Sequence, residues 1–223
     1  MSTRPPLSEI VTRLAVGELT WADLVVPEEV RSALEALSRR VADGGLVAVV
    51  AGPPGVGKTF ATRVWAESLR LELWQVDCTR LLTRHGDTAT TRGLDEVCGF
   101  GERPPGVLLL DRPGPLVARD PAAFLERLRR RRGPSVLELD APDSAPAGLP
   151  AVILTRPDRE QRCRHWQALV ERVSPLSAPD YERLADLELV GARIDAAVSA
   201  VVLAHGDERL ETEALIRAAA APG

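Results

Sequence analysis

The feature that most constrains this chain is the segment at residues 52–59, Gly-Pro-Pro-Gly-Val-Gly-Lys-Thr. It follows a short apolar run and precedes apolar residues at helical spacing, which is the order strand, glycine-rich loop, helix. In such a phosphate-binding loop, or P-loop, glycines let backbone N–H groups turn inward around phosphates. Lys58 is the only lysine among 28 basic residues, and its slim ammonium fits between phosphate oxygens where a planar guanidinium would not. The sequence therefore predicts a site for a nucleoside phosphate.

The helix that starts at about Lys58 directs its N-terminal partial positive charge at the phosphates, and the Thr59 hydroxyl is placed to bind Mg²⁺. A carboxylate at the end of an apolar strand is the second expected Mg²⁺ ligand, and Asp111 follows four apolar residues at 107–110. The predicted cofactors are ATP or ADP with Mg²⁺, since the loop recognises phosphates rather than the base. The predicted nucleotide-binding residues of the loop are Gly52, Pro53, Pro54, Gly55, Val56, Gly57, Lys58, Thr59 and Phe60.

Short apolar runs alternate with amphipathic segments along the chain, an order that produces parallel strands joined by right-handed crossovers. The predicted strands are residues 46–51, 71–77, 107–111, 135–140 and 151–155. Their continuous apolar runs are typical of strands covered on both faces. The pattern then becomes wholly helical, with predicted helices at 158–173, 178–186, 191–205 and 208–220. We expect an α/β fold: a five-stranded parallel P-loop NTPase sheet flanked by helices, followed by a small helical subdomain.

Composition excludes several classes of function. A net charge of −4 and a pI near 5.5 lack the basic excess of a protein that neutralises many nucleic-acid phosphates. No apolar run reaches the roughly 18 residues that a membrane helix needs, so we expect a cytoplasmic protein without a membrane partner. The three cysteines and three histidines are scattered along the chain. This spacing favours reduced thiols and no metal site other than nucleotide-bound Mg²⁺.

The P-loop, the strand pattern and the trailing helices together resemble AAA+ ATPases, from about Thr20 to the end of the chain. More narrowly, the chain is similar to the AAA+ ATPase encoded with phage-tail-like contractile injection systems. Three stretches carry this narrower resemblance: Trp-Ala-Asp-Leu-Val-Val-Pro at 21–27, Pro-Asp-Arg-Glu-Gln-Arg at 157–162 and Leu-Val-Gly-Ala-Arg-Ile at 189–194.

The resemblance implies three segments: an N-terminal extension at 1–19, a nucleotide-binding core at 20–157 and a helical lid at 158–223. It also implies protein partners or AAA+ sister subunits, in an assembly that can be a ring. A lid arginine, Arg193, would then reach the γ-phosphate of the nucleotide.

The chain departs from the family where hydrolysis is concerned. Arg112 follows Asp111, where such enzymes carry a glutamate that positions the attacking water. Asp140 stands where they place an asparagine that contacts water and the γ-phosphate. Residues 141–150 contain none of the arginines that reach a neighbouring subunit's nucleotide, and the pore-loop region offers only His85 instead of an aromatic residue. Groups that bind nucleotide are present, whereas groups that speed hydrolysis are largely missing.

These features predict an ATP-binding AAA+ protein with weak or impaired hydrolysis, acting as a nucleotide-dependent assembly or remodelling subunit. In a minority interpretation Asp140 orients the water, which makes Asp111 and Asp140 the candidate catalytic residues. Two alternatives are an active ATP-driven remodelling ATPase and a non-enzymatic, nucleotide-held scaffold. A P-loop kinase for a small metabolite is the least favoured alternative, because the trailing helices look like a lid.

The densest charge run of the sequence is a cluster of five arginines. We interpret it as a solvated helix end, where cations suit the partial negative charge. A subunit or partner contact and a nucleic-acid contact are the alternatives. The run consists of Arg127, Arg129, Arg130, Arg131 and Arg132.

Overall fold

The computed structural model describes residues 6–15, 17–41, 44–99, 106–205 and 210–221, which form two compact units. The first unit contains the described residues of Met1–Gly52 and of Lys58–Leu154. The second contains Pro53–Gly57 and the described residues of Thr155–Gly223. The middle of the P-loop thus groups with the C-terminal helices. The domain boundaries expected after residues 19 and 157 stay predictions.

A six-stranded sheet forms the centre of the first unit, in the order β1-β3-β4-β5-β2-β6. The strands are β1 Val11–Leu14, β2 Val47–Ala51, β3 Glu72–Asp77, β4 Gly106–Asp111, β5 Ser135–Leu139 and β6 Ala151–Ile153. All neighbouring pairs are parallel except β1 and β3, which are antiparallel. The predicted α/β architecture is confirmed, and the five expected strands correspond to β2 through β6 with small shifts at their ends.

Strand β1 at the sheet edge was not predicted. Its four residues include two exposed ones, so the continuous apolar signal of the inner strands is missing. Strand β1 pairs with β3, and Arg13 on β1 forms an ion pair of 2.7 Å with Glu72 on β3. Charged side chains of this kind are typical of edge strands. The segment expected to precede the core therefore contributes a strand to its sheet.

The helices of the first unit cover the sheet. They are α1 Leu7–Ile10, α2 Glu28–Arg40, α3 Lys58–Ser68, α4 Cys78–His85, α5 Leu94–Cys98, α6 Gly114–Arg119 and α7 Pro121–Arg129. Single 3₁₀ turns lie at Trp21–Asp23, Gly86–Thr88 and Pro142–Ser144, and a π-helical turn lies at Ala89–Gly93. Helix α3 buries Ala61, Val64 and Trp65, as its apolar spacing predicts. This packing fixes the helix that carries Lys58 and Thr59 against the strands.

The second unit is helical. Its helices are α8 Arg159–Val173, α9 Tyr181–Ala185, α10 Gly191–His205 and α11 Thr212–Ala220. They enclose a separate apolar core that includes Trp166, Ile194 and Leu215. Helix α9 is shorter than the predicted helix at 178–186, because Asp180 caps it by accepting the Arg183 backbone N–H at 3.0 Å. The predicted helix at 208–220 begins at residues outside the described part of the chain.

Arg131 contradicts the interpretation of its arginine run as a solvated helix end. Its side chain is only 3% exposed. The guanidinium donates to the carbonyl oxygens of Pro134 at 2.9 Å, Cys98 at 3.2 Å and Gly106 at 3.3 Å, and to Ser135 Oγ at 3.2 Å. Arg131 thus holds three backbone segments together around the ends of β4 and β5. The other arginines of the run are half-buried or exposed: Arg127, Arg129, Arg130 and Arg132.

Arg131→Met is expected to lower the free energy of unfolding by about 2 kcal/mol, because buried carbonyls lose their donors while the apolar volume is largely kept. Arg132→Met is the matched control, since Arg132 is exposed, and its effect should stay within about 0.5 kcal/mol. Urea denaturation followed by tryptophan fluorescence measures both. Equal losses in the two variants would contradict the structural role of Arg131.

Candidate functional site

The P-loop lysine is buried at the end of β2. Lys58 is 5% exposed, and its Nζ donates to Gly52 O at 2.7 Å and to Asp140 Oδ1 at 3.0 Å. Asp140 lies just beyond β5 and leaves 60% of its side chain exposed. The ammonium therefore already has an anionic partner, and a phosphate that binds Lys58 must share it with this carboxylate.

The loop Pro53–Gly57, in the second unit, depends on two glycines. Gly55 and Gly57 have φ angles of 80° and 98°, in the left-handed region that residues with a Cβ rarely adopt. Gly55 O accepts the Ala192 N–H at 3.1 Å, and a Cβ at Gly55 would lie 2.8 Å from Val190 Cγ2. Turns that contain such left-handed residues form concavities lined by backbone N–H groups, and these concavities bind anions. The remaining predicted loop and helix residues, Pro53, Pro54, Val56 and Phe60, are half-buried or exposed.

Thr59 contacts a carboxylate that the sequence analysis did not single out. Its Oγ1 lies 3.0 Å from Glu138 Oε1 and 2.9 Å from Glu138 Oε2, so the hydroxyl donates to this side chain. Glu138 is the one charged residue of strand β5, which pairs with the P-loop strand β2. A single charged residue inside a buried strand beside the P-loop strand was the available signal.

The charge of Glu138 is set by opposing effects. Burial raises the pKa of Glu138, and the negative charges of Asp111 and Asp140 raise it further. The hydrogen bond from Thr59 and the positive charge of Lys58 lower the pKa but do not cancel the rise. Glu138 and Asp140 thus contact the first residues of α3, and Asp111 faces Glu138 across the β4–β5 pair. A bound cation would stabilise this concentration of negative charge.

Asp111 ends β4 opposite Glu138 of β5 on one side and Asp77 of β3 on the other. The next residue, Arg112, has a φ of 51°, uncommon for a residue with a Cβ. Its Nη2 lies 3.4 Å from Asp111 Oδ2 and 3.9 Å from Asp77 Oδ2. Burial raises the pKa of the nearby Cys78 thiol, and the charges of Asp111 and Asp77 raise it further. The positive charge of Arg112 therefore offsets part of the negative charge of Asp111 and Asp77 at these strand ends.

Arg193, the predicted γ-phosphate contact, lies in the first turn of α10. Its Nη2 donates to Ala219 O at 2.9 Å and to Ala221 O at 2.7 Å, at the end of α11. Cations are favourable beside the carbonyls that end a helix. This contact gives Arg193 a role within the helical unit, and its contact with nucleotide stays a prediction.

Among the described residues, no group of three or more His, Cys, Asp or Glu side chains is arranged to hold a metal ion. A cation at this site therefore needs further oxygen ligands, which nucleotide phosphates supply. The donors present, a hydroxyl and carboxylates, are those that Mg²⁺ prefers.

No helix in the described part of the chain is both long and apolar enough to span a bilayer.

The chain is similar to one protein family and to solved structures. Residues 48–144 match the AAA family, the ATPase family associated with various cellular activities. The chain is also similar to a solved structure described as the crystal structure of the FIGL-1 AAA domain, with a TM-score of 0.66 and 17% identity. That similarity covers 96% of this chain and 86% of the other. No curated protein matches the chain. The fold is that of AAA domains, and the segment from β2 to the turn after β5 is similar in sequence to the AAA family.

Proposed function

We propose that this chain is an AAA+ protein that binds ATP or ADP with Mg²⁺ through its P-loop. The observation that carries the proposal is the buried Lys58 ammonium at the end of β2, held by Gly52 O. Its second partner, Asp140, is 60% exposed, so the ammonium can exchange or share this contact with a phosphate chain, the usual partner of a P-loop lysine. Thr59, next along α3, supplies the hydroxyl for the metal.

We further propose that ATP hydrolysis is slow. Position 112 carries a guanidinium directed at Asp111 and Asp77 instead of a carboxylate for the attacking water. Asp140, the alternative group for orienting water, bonds to Lys58. The segment 141–150 offers no arginine to a neighbouring nucleotide. Since such an arginine contributes about 10³–10⁵ in rate, its absence alone predicts weak turnover.

The role we propose is a cytoplasmic, nucleotide-dependent assembly or remodelling subunit that works with protein partners or AAA+ sister subunits. The resemblance of residues 21–27, 157–162 and 189–194 supports a link to contractile injection systems. An active remodelling ATPase and a nucleotide-held scaffold are the alternatives, and turnover separates them. A small-molecule kinase is disfavoured because a unit of four helices follows the sheet.

The purified chain is expected to bind ADP and ATP in the presence of Mg²⁺ with micromolar affinity. We expect ATP turnover below about 0.1 s⁻¹, under the roughly 1–1000 s⁻¹ usual for enzymes. Isothermal titration and an overnight phosphate-release assay measure the two quantities, and light scattering with and without nucleotide measures assembly. Absence of binding to adenine and guanine nucleotides at millimolar concentration would refute the function, and fast turnover would refute slow hydrolysis.

A further inference from the structure

We propose that Glu138, rather than Asp111, is the carboxylate that positions the Thr59 hydroxyl for Mg²⁺. The resemblance to AAA+ enzymes implies that the acidic Mg²⁺ ligand lies at the end of the third predicted strand, where this chain carries Asp111. The structure places a different acid, one strand further along the sheet, against Thr59. This inference rests on the nucleotide-binding function proposed above.

The Thr59 hydroxyl is oriented by its hydrogen bond to Glu138. A threonine hydroxyl has one hydrogen to donate and two lone pairs that accept. Because the Thr59 hydrogen is directed at Glu138, both lone pairs of its oxygen stay available to a cation. The two short Thr59–Glu138 distances, 3.0 and 2.9 Å, show that either carboxylate oxygen can hold the hydroxyl in this orientation.

Asp111, in contrast, already has a cationic neighbour. Arg112 lies 3.4 Å from its carboxylate and also approaches Asp77 across the β3–β4 pair. This guanidinium reduces the negative charge that Asp111 offers to Mg²⁺. Arg112 itself occupies a left-handed backbone conformation, which places a costly residue at the strand end. The substitution that removes the family's glutamate therefore also weakens the aspartate beside it.

The backbone of Glu138 is held in place by strands on both sides of β5. Strand β5 pairs with β4 through Asp111 and with β2, which leads into the P-loop. The Glu138 side chain is half-buried and both of its carboxylate oxygens lie within 3.0 Å of Thr59 Oγ1, so it has little freedom to turn away. A fixed carboxylate loses little conformational entropy when the hydroxyl it holds binds a metal. Glu138 thus acts as a positioning residue, through Thr59.

The test measures the affinity of the full chain for ADP by isothermal titration, once with Mg²⁺ and once with EDTA. We expect Mg²⁺ to tighten ADP binding in the wild type. Glu138→Ala should reduce this Mg²⁺-dependent gain about tenfold, because the hydroxyl is then free to turn. Binding in EDTA should change little. Glu138→Gln keeps an acceptor for Thr59 and should lose less of the gain, whereas the exposed Glu126→Ala serves as the neutral control.

A double-mutant cycle separates positioning from a general loss of charge. In a Thr59→Val background the Glu138→Ala change should have no further effect on the Mg²⁺-dependent gain, since the hydroxyl it holds is gone. Asp111→Asn should reduce the gain less than Glu138→Ala does. Additive effects of the Thr59 and Glu138 changes, or a larger loss in Asp111→Asn, would overturn the proposal. A wild-type chain that binds no ADP in EDTA or Mg²⁺ would instead refute the nucleotide-binding function.

Discussion

Lys58→Ala is expected to lower the affinity for ATP and ADP about 100-fold or more. The ammonium is the one cation that the described structure holds buried at the P-loop, and each charge-assisted bond to a phosphate contributes roughly 1.5–3 kcal/mol. Removing the ammonium also leaves the Asp140 carboxylate without this partner. Its negative charge would then repel the phosphates. Isothermal titration with ADP and Mg²⁺ measures the loss.

Lys58→Arg is the informative companion of this variant. It keeps the positive charge, and the chain uses arginine at all its other basic positions. Because a planar guanidinium is broader than an ammonium and Lys58 is almost fully buried, we expect Lys58→Arg to lose at least about tenfold in affinity. The exposed Arg132→Ala should bind as the wild type does. Full affinity in Lys58→Ala would show that phosphates bind elsewhere.

The inner strands could be predicted from the sequence because both of their faces are buried. Val107, Leu108, Leu109 and Leu110 are all fully buried, and a run of this kind leaves little alternative to a central strand. The edge strand β1 could not be predicted from the same signal, since its two middle residues, Thr12 and Arg13, are exposed and its partner β3 is distant in sequence. An apolar run in the sequence reports burial, and β1 has too little of it.

Arg131 and Glu138 show why side-chain roles were harder to predict than strands. A run of arginines is usually solvated, yet Arg131 is buried because carbonyls from three separate segments converge on it. Glu138 meets Thr59 only because β5 lies between β2 and β4, an order that differs from the order along the chain. Both contacts depend on which strands become neighbours. Composition and spacing do not report that arrangement.

Arg112→Glu is expected to raise the rate of ATP hydrolysis about 100-fold, the lower end of what a positioned general base contributes. The change places a carboxylate next to Asp111. The AAA+ enzymes that this chain resembles carry a glutamate there, which positions the attacking water. Glutamate and arginine are both unbranched at Cβ, so the left-handed backbone at residue 112 gains no new strain. Single-turnover assays with saturating ATP and Mg²⁺ measure the chemical step apart from binding.

Arg112→Gln is the matched control for this gain, because it removes the guanidinium from Asp111 and Asp77 without supplying a base. A rate increase in the glutamate variant alone would assign the slow step to the missing carboxylate. Equal increases in both variants would instead mean that the guanidinium inhibits hydrolysis through its charge on Asp111. No increase in either variant would contradict the expectation and leave the absent trans-acting arginine as the limiting factor. Even a successful Arg112→Glu variant should stay slower than enzymes that possess such an arginine, since the carboxylate activates water but does not stabilise the charge on the transferred phosphate.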